Sequence, residues 1–241
     1  NGLSNGDIVT VECKTFFGGD IQVDYYVDFN TLSEFRAYDE FKLIMNAWYL
    51  HDKKSWPPID ENINPLLIAM HLNTNNKNTP EAFLSDESRD FLSKYGPVGA
   101  RDPLTREFLQ SNGIDSYFSG CLTLTLKGED VEREDYIVLV DVSDDVLEFV
   151  KSKTDKQIYV VSQGLPTDLN KRKLTKKYHF LEDRIYTSQE KFFYGECLLN
   201  LYQRASCVIT KRLHVALPCL ALNTPVLLIN DDIINGEIRF S

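Results

Sequence analysis

Two cations and an imidazole crowd the end of one hydrophobic run. They are Lys211, Arg212 and His214, in the stretch CVITKRLHVALPCLALNTPVLLI from Cys207 to Ile229. A buried strand that ends this way is built to receive an anion. If a helix begins near Arg212, its unpaired N–H groups and positive dipole end add to the side-chain donors. A guanidinium grips phosphate or carboxylate as a fork. Leu213, Ala216, Leu217 and Leu220 are spaced to pack the other face on a sheet. Pro218 would clash with the carbonyl of His214, which predicts either a kink or a late helix start. The competing reading pairs Arg212 with a carboxylate and makes His214 a core histidine.

Other polar residues stand at similar places. In GPVGARDPLTREFL, Asp102 reads as a helix N-cap with Pro103 at the first helical position. Arg101 has no such structural task and is a candidate anion ligand. Gly18 and Gly19 in FFGGDIQ let backbone approach a ligand closely, although the loop is not a GxGxxG motif. Asp20 beside them can be a base, a hydroxyl-binding group or a cap. Asn46 and Trp48 end another run, where polar and aromatic groups suit a sugar. His71 ends the next, as a core residue, a supporting residue or a base. Gln163 and Ser162 occupy the matching place later in the chain. The basic run NKRKLTKKYH reads as a solvated helix face.

The elements that must position these groups alternate along the chain. Strands are expected in DIVTVECKTFF, FKLIMNAWYL, PLLIAMHLN, PVGARD and SYFSGCLTLTL. Helical periodicity appears in PEAFLSDESRDFLSKYG and in DPLTREFLQSNGI, which stops at Asn112-Gly113. A charged run, KGEDVERED, then interrupts the pattern. Beyond it come strand YIVLVDVS, helix DDVLEFVKSK, strand QIYVVSQG, helix SQEKFFYGECLLNLYQRA, strand CVIT, helix RLHVALPCLALN and strand PVLLI. Near-continuous Val/Ile/Leu strands alternating with helices predict an α/β fold with parallel sheets. The expected arrangement is two Rossmann-like halves facing across a cleft. Residues 1–127 form the first, 128–135 a charged linker and 136–241 the second. Ligands of such sheets bind beyond the carboxyl ends of the strands.

Composition narrows the function classes. The net charge of -10 and a sequence pI near 4.9 argue against general nucleic-acid binding, which needs basic faces. No apolar run approaches the roughly 20 residues that span a bilayer. Five cysteines without a paired framework predict buried, reduced thiols and a cytoplasmic protein. The absence of CxxC and HExxH predicts no metal site. The chain does not begin with Met, so it is expected to be part of a longer multidomain chain.

Three segments, KLIMNAWYLHDKKSWPP, GPVGARDPLTREFLQSNGIDSYFSGCLTLTL and RASCVITKRLHVALPCLALNTPVLLI, together resemble the polysaccharide pyruvyl transferase family. The resemblance implies a GT-B-like fold and ketal transfer of pyruvate from phosphoenolpyruvate onto two hydroxyls of one sugar. It implies Arg212, His214 and Arg101 as donor ligands, with the acceptor on the first half and the donor on the second. The acceptor would be a glycan or lipid-linked saccharide, and no cofactor beyond the co-substrate is implied. Such chemistry needs a proton delivered to the methylene carbon, for which His214 is the acid candidate, and a base, for which Asp20 and His71 are candidates. The chain departs from relatives at Lys211, where many carry a small residue. It is also shorter after GGDIQ, and it ends at GEIRFS, where relatives continue, which predicts truncation at the C-terminus. The runner-up function is a nucleotide-sugar-dependent glycosyltransferase, with Glu182, Asp183 or Glu196 available for a ribose. A non-catalytic glycan-binding domain is third.

Overall fold

The computed structural model describes residues 8–12, 22–25, 33, 36–37, 39–49, 56–58, 60–75, 78–164 and 188–229. The described residues form a mixed α/β structure with six α-helices and parallel sheets. Two compact units are present, one of Asn1–Ile8 and Tyr25–Leu122 and the other of Val9–Asp24 and Thr123–Ser241. Near the N-terminus, β1 (Ile8–Glu12) and β2 (Gln22–Tyr25) pair with each other.

In the first unit, two strands expected to be continuous are each broken in two. FKLIMNAWYL gives β3 (Phe41–Ile44) and β4 (Trp48–Tyr49); PLLIAMHLN gives β5 (Ile63–Leu66) and β6 (His71–Leu72). β3 pairs with β5 and β4 with β6, both parallel. The Met45 N–H donates to Leu66 O at 2.9 Å and the His71 N–H to Ala47 O at 3.0 Å, so the ladder resumes across each gap. Ala69 explains the second break. It lies at φ 51, and its N–H goes to Ser119 Oγ at 3.1 Å rather than to a strand. Next to this pair lie β7 (Val98–Ala100) and, parallel to it, β8 (Ser116–Phe118). Met70 bridges Ala100, and Gly99 N–H donates to Leu67 O, which joins β7 to the β5–β6 path. After β8 the chain does not continue as the expected strand. Gly120, at φ +68, turns it, and Leu122–Thr125 form a 3-10 turn.

The single helix expected over PEAFLSDESRDFLSKYG is two, α1 (Asn78–Phe83) and α2 (Asp86–Tyr95). Ser85 causes the break. It is extended and its side chain accepts the Ser88 N–H at 3.3 Å, so it starts a helix rather than continuing one. α3 (Pro103–Ser111) starts at Asp102 and ends at Asn112, with Gly113 at φ +76, as expected. Leu67, Met70, Phe83, Leu92, Val98 and Leu109 are fully buried around these elements. Gly96 closes α2 where a Cβ would stand 2.7 Å from the Leu92 carbonyl oxygen. Gly96→Ala is therefore expected to destabilise the fold by about 1–3 kcal/mol. Chemical denaturation checks this, and an unchanged midpoint would refute the backbone clash.

The second unit holds one parallel sheet of β9 (Tyr136–Val140), β10 (Gln157–Val161), β11 (Cys207–Thr210) and β12 (Val226–Leu228). Its order is β10-β9-β11-β12. Val138, Leu139 and Val140 of β9 are fully buried, as a central strand covered on both faces requires. Helices α4 (Asp144–Lys151), α5 (Ser188–Arg204) and α6 (Leu213–Ala221) connect the strands. The charged run at 128–135 is fastened to this unit. Glu129 N–H donates to Gln203 Oε1 at 3.2 Å, and Glu134 N–H to Arg204 O at 2.7 Å. Cys197, Cys207 and Cys219 are free thiols, and burial pushes Cys219 up to about 12. Among the described residues no helix is long and apolar enough to cross a membrane.

Candidate functional site

Sheet order locates the first cluster. β9 leads through α4 to β10 on one side, and the chain then returns to β11 on the other. Between β9 and β11 the order therefore reverses, and such a point opens a crevice at the strands' carboxyl ends. The residues directly after these strands are Asp141 and the Lys211-Arg212 pair. Arg212 Nε donates to Asp141 Oδ2 at 3.1 Å. The same carboxylate oxygen accepts the Gln163 N–H at 3.2 Å, from the end of β10. Asp141 itself sits at φ 52, a left-handed backbone that Asp tolerates better than most residues. Three strand ends thus converge on one carboxylate. The side chain of Asp141 is 15% exposed and that of Arg212 is 52% exposed. The guanidinium is anchored through Nε and still presents its outer face.

Arg212 is also the N-cap of α6, and its side chain makes no capping hydrogen bond. Its backbone N–H is held by Thr210 Oγ1 at 2.9 Å, and that hydroxyl donates to Val140 O at 3.1 Å. Thr210 is buried, so the junction rests on fixed groups. Positive helix end and guanidinium thus meet at the crevice, which suits an anion.

His214 is exposed, on the first turn of α6. This corrects the core-histidine alternative. The helix starts at Leu213 and includes Pro218, so the late start is also corrected. Pro218 has no N–H to give the His214 carbonyl. Gln163 Nε2 donates to that carbonyl instead, at 3.3 Å. Gln163, expected as an acceptor-binding residue, thus serves the backbone that carries His214. Lys211 is half-buried beside them.

The second cluster lies in the first unit, where His71 opens β6 rather than following a strand, and Arg101 and Asp102 come directly after β7. Asp102 caps α3 as expected, its Oδ1 accepting the Thr105 N–H at 2.8 Å. Its Oδ2 lies 2.6 Å from His71 Nδ1 and accepts the Thr105 hydroxyl at 2.9 Å. Burial raises the Asp102 carboxyl, but hydrogen bonds from His71 and Thr105 outweigh it and leave the pKa below its ordinary value. Arg101 is half-buried, and burial lowers its pKa against the opposing pull of Cys121 and Asp102. The Arg101 N–H donates to Met70 O at 3.0 Å, which ties it to the strand that leads into His71. Trp48 is the register partner of His71, and Asn46 is exposed between β3 and β4. The Trp48 side chain, Gly18, Gly19 and Asp20 lie outside the described residues, as do Glu182, Asp183 and the basic run.

Sequence reasoning missed one residue and one contact. Asp141 follows the buried strand YIVLV directly, so the strand-end rule applied to Arg212 would have found it. Asp102 was read as a cap, and its hold on His71 has no local sign.

The fold and the first cluster define a parallel α/β protein with Arg212 and a helix N-terminus at the sheet's reversal point. A family model described as polysaccharide pyruvyl transferase matches residues 76–232, more than half of the 241-residue chain. The chain belongs to the polysaccharide pyruvyl transferase family, which makes it a glycan-modifying transferase with a polysaccharide acceptor. Searches of curated proteins and of solved structures return no match.

Proposed function

We propose that this chain transfers pyruvate from phosphoenolpyruvate to two hydroxyls of one sugar in a polysaccharide or lipid-linked saccharide, forming a ketal. The observation that carries this reading is Arg212, anchored by Asp141 at the sheet's reversal point and joined there by the open end of α6. The donor's phosphate and carboxylate need several fixed cations. Arg212 and Lys211 supply them in the second unit, and Arg101 is the further donor ligand in the first. The reading takes the two units as the halves of a GT-B-like enzyme.

His214, exposed on the first turn of α6, gives a proton to the donor's methylene carbon, which becomes a methyl group. The cationic central carbon bonds to the first sugar hydroxyl. The carbon–oxygen bond to phosphate then breaks with its electron pair on phosphate, and the second hydroxyl completes the ketal. Of the two hydroxyl protons, one balances the proton placed on carbon and the other leaves on phosphate. Asp20 and His71 are the candidate bases. Asn46, Trp48 and the Gly18-Gly19 loop are assigned to substrate binding, and no metal enters any step.

A ligand that binds only the folded chain raises its melting temperature. Phosphoenolpyruvate is expected to raise it more than equal phosphate does. A response to nucleotide diphosphates alone would overturn the reading in favour of glycosyl transfer.

A further inference from the structure

Pro218 leaves α6 with a carbonyl to satisfy. A helical residue donates its N–H four positions back, and Pro218 has none for the His214 oxygen. Gln163 Nε2 fills the gap from the end of β10, at 3.3 Å. The backbone N–H of the same residue donates to Asp141 Oδ2 at 3.2 Å, and that oxygen holds Arg212 Nε at 3.1 Å. Gln163 therefore has one arm on the carboxylate behind Arg212 and the other on the backbone that carries His214. Its own place is fixed from α5 and from its neighbours. The Tyr194 hydroxyl donates to Ser162 O at 2.7 Å, and the Gly164 N–H to Ser162 Oγ at 3.2 Å. The Asp141 N–H donates to Val161 O at 3.1 Å and ties the end of β9 to that of β10. All of these groups lie in the second unit.

We propose that Gln163 is a positioning residue, a strap whose side chain holds the first turn of α6 against the end of β10 and so sets where Arg212 and His214 meet the donor. What the strap positions rests on the pyruvyl-transfer reading; that it holds the turn does not. The N-cap side chain does not steady this turn, because Arg212 makes no capping bond and is drawn to Asp141. Gln163 supplies a fixed point on the side where Pro218 breaks the helical ladder. Its bond to the His214 carbonyl is long and exposed, so losing it leaves the fold standing. The effect falls on geometry instead. A reacting group misplaced by about 1 Å can cost about 100-fold in rate, and both Arg212 and His214 ride on the turn that Gln163 holds.

The test is a cycle of Gln163→Met and Pro218→Ala in the full chain. Methionine keeps the length of the side chain and the backbone N–H to Asp141, but cannot donate to the His214 carbonyl. Alanine at 218 restores an N–H that this carbonyl can accept within the helix, which makes the strap redundant. Amide hydrogen exchange reads the turn without any substrate, at Val215 and Ala216, whose N–H groups both donate to Arg212 O at 3.1 Å. Exchange there should speed up about ten-fold in Gln163→Met, and less than about two-fold when the same substitution is made in Pro218→Ala. With phosphoenolpyruvate as donor, kcat/KM should fall about ten-fold in the first background and less than about two-fold in the second. Unchanged exchange in Gln163→Met, or equal losses in both backgrounds, would overturn the proposal. So would a rise in the sugar's KM alone, which would make Gln163 an acceptor ligand. If Pro218→Ala does not fold, exchange at Val215 and Ala216 in Gln163→Met decides alone, and an unchanged rate overturns the strap. A wild-type chain that transfers no pyruvyl group would sink the functional reading, while the exchange measurement would still decide whether Gln163 holds α6.

Discussion

Arg212→Ala is expected to lower turnover about 100- to 1,000-fold, as removal of one preorganised donor from a developing negative charge does elsewhere. It should also remove the rise in melting temperature caused by phosphoenolpyruvate. The stability of the unliganded chain should change little. Arg212 is 52% exposed, and its ion pair with Asp141 is partly solvated, which places it among weak contributors to folding. The backbone contacts that seat the junction, Arg212 N–H to Thr210 Oγ1 and the Thr210 hydroxyl to Val140 O, do not depend on the side chain. Arg212→Lys should rescue little, since an ammonium cannot bond Asp141 through Nε while presenting a fork to the donor. Steady-state kinetics with a thermal-shift titration checks both parts. A variant with wild-type turnover would remove Arg212 from the donor site and return it to the role of a surface ion-pair partner.

The sequence made strand ends and caps legible because both are local. Lys211-Arg212 follows CVIT directly, and Asp102 is followed by Pro103, so position alone suggested an anion site and a cap. The Asp141–Arg212 pair joins residues 71 positions apart and the His71–Asp102 pair residues 31 apart. Neither can be seen until the sheet order is known. Gln163 shows the same limit. Its place after β10 was readable, but its bond to the His214 carbonyl, which Pro218 leaves without its usual helical donor, links elements 51 residues apart. Breaks inside elements were harder still. Periodicity ran through Ser85 because flanking apolar residues kept helical spacing, yet one side-chain bond to Ser88 sufficed to start a new helix. At Ala69 the strand pattern held while the backbone left it, because Ser119 supplied the missing acceptor from 50 residues away.

His214→Gln is expected to separate binding from chemistry. On the proposed reading the imidazole delivers the proton to carbon, so its loss should lower kcat about 100- to 10,000-fold. Donor affinity should remain near wild type, because Arg212 and the first turn of α6 still meet the anion. The structure makes the substitution clean. The side chain is exposed, so no core contact is lost. The contact that steadies this turn uses the His214 backbone carbonyl, which Gln163 Nε2 reaches at 3.3 Å and which the substitution leaves in place. A melting temperature within a degree or two of wild type, a full phosphoenolpyruvate shift and a collapsed kcat would together assign His214 to proton delivery. A matched loss of affinity and rate would instead make His214 a donor ligand, the role proposed for Arg212, and the acid would have to be sought among the titratable groups near Asp141. Single-turnover measurements distinguish the two, since a ligand role is overcome by saturating donor and an acid role is not.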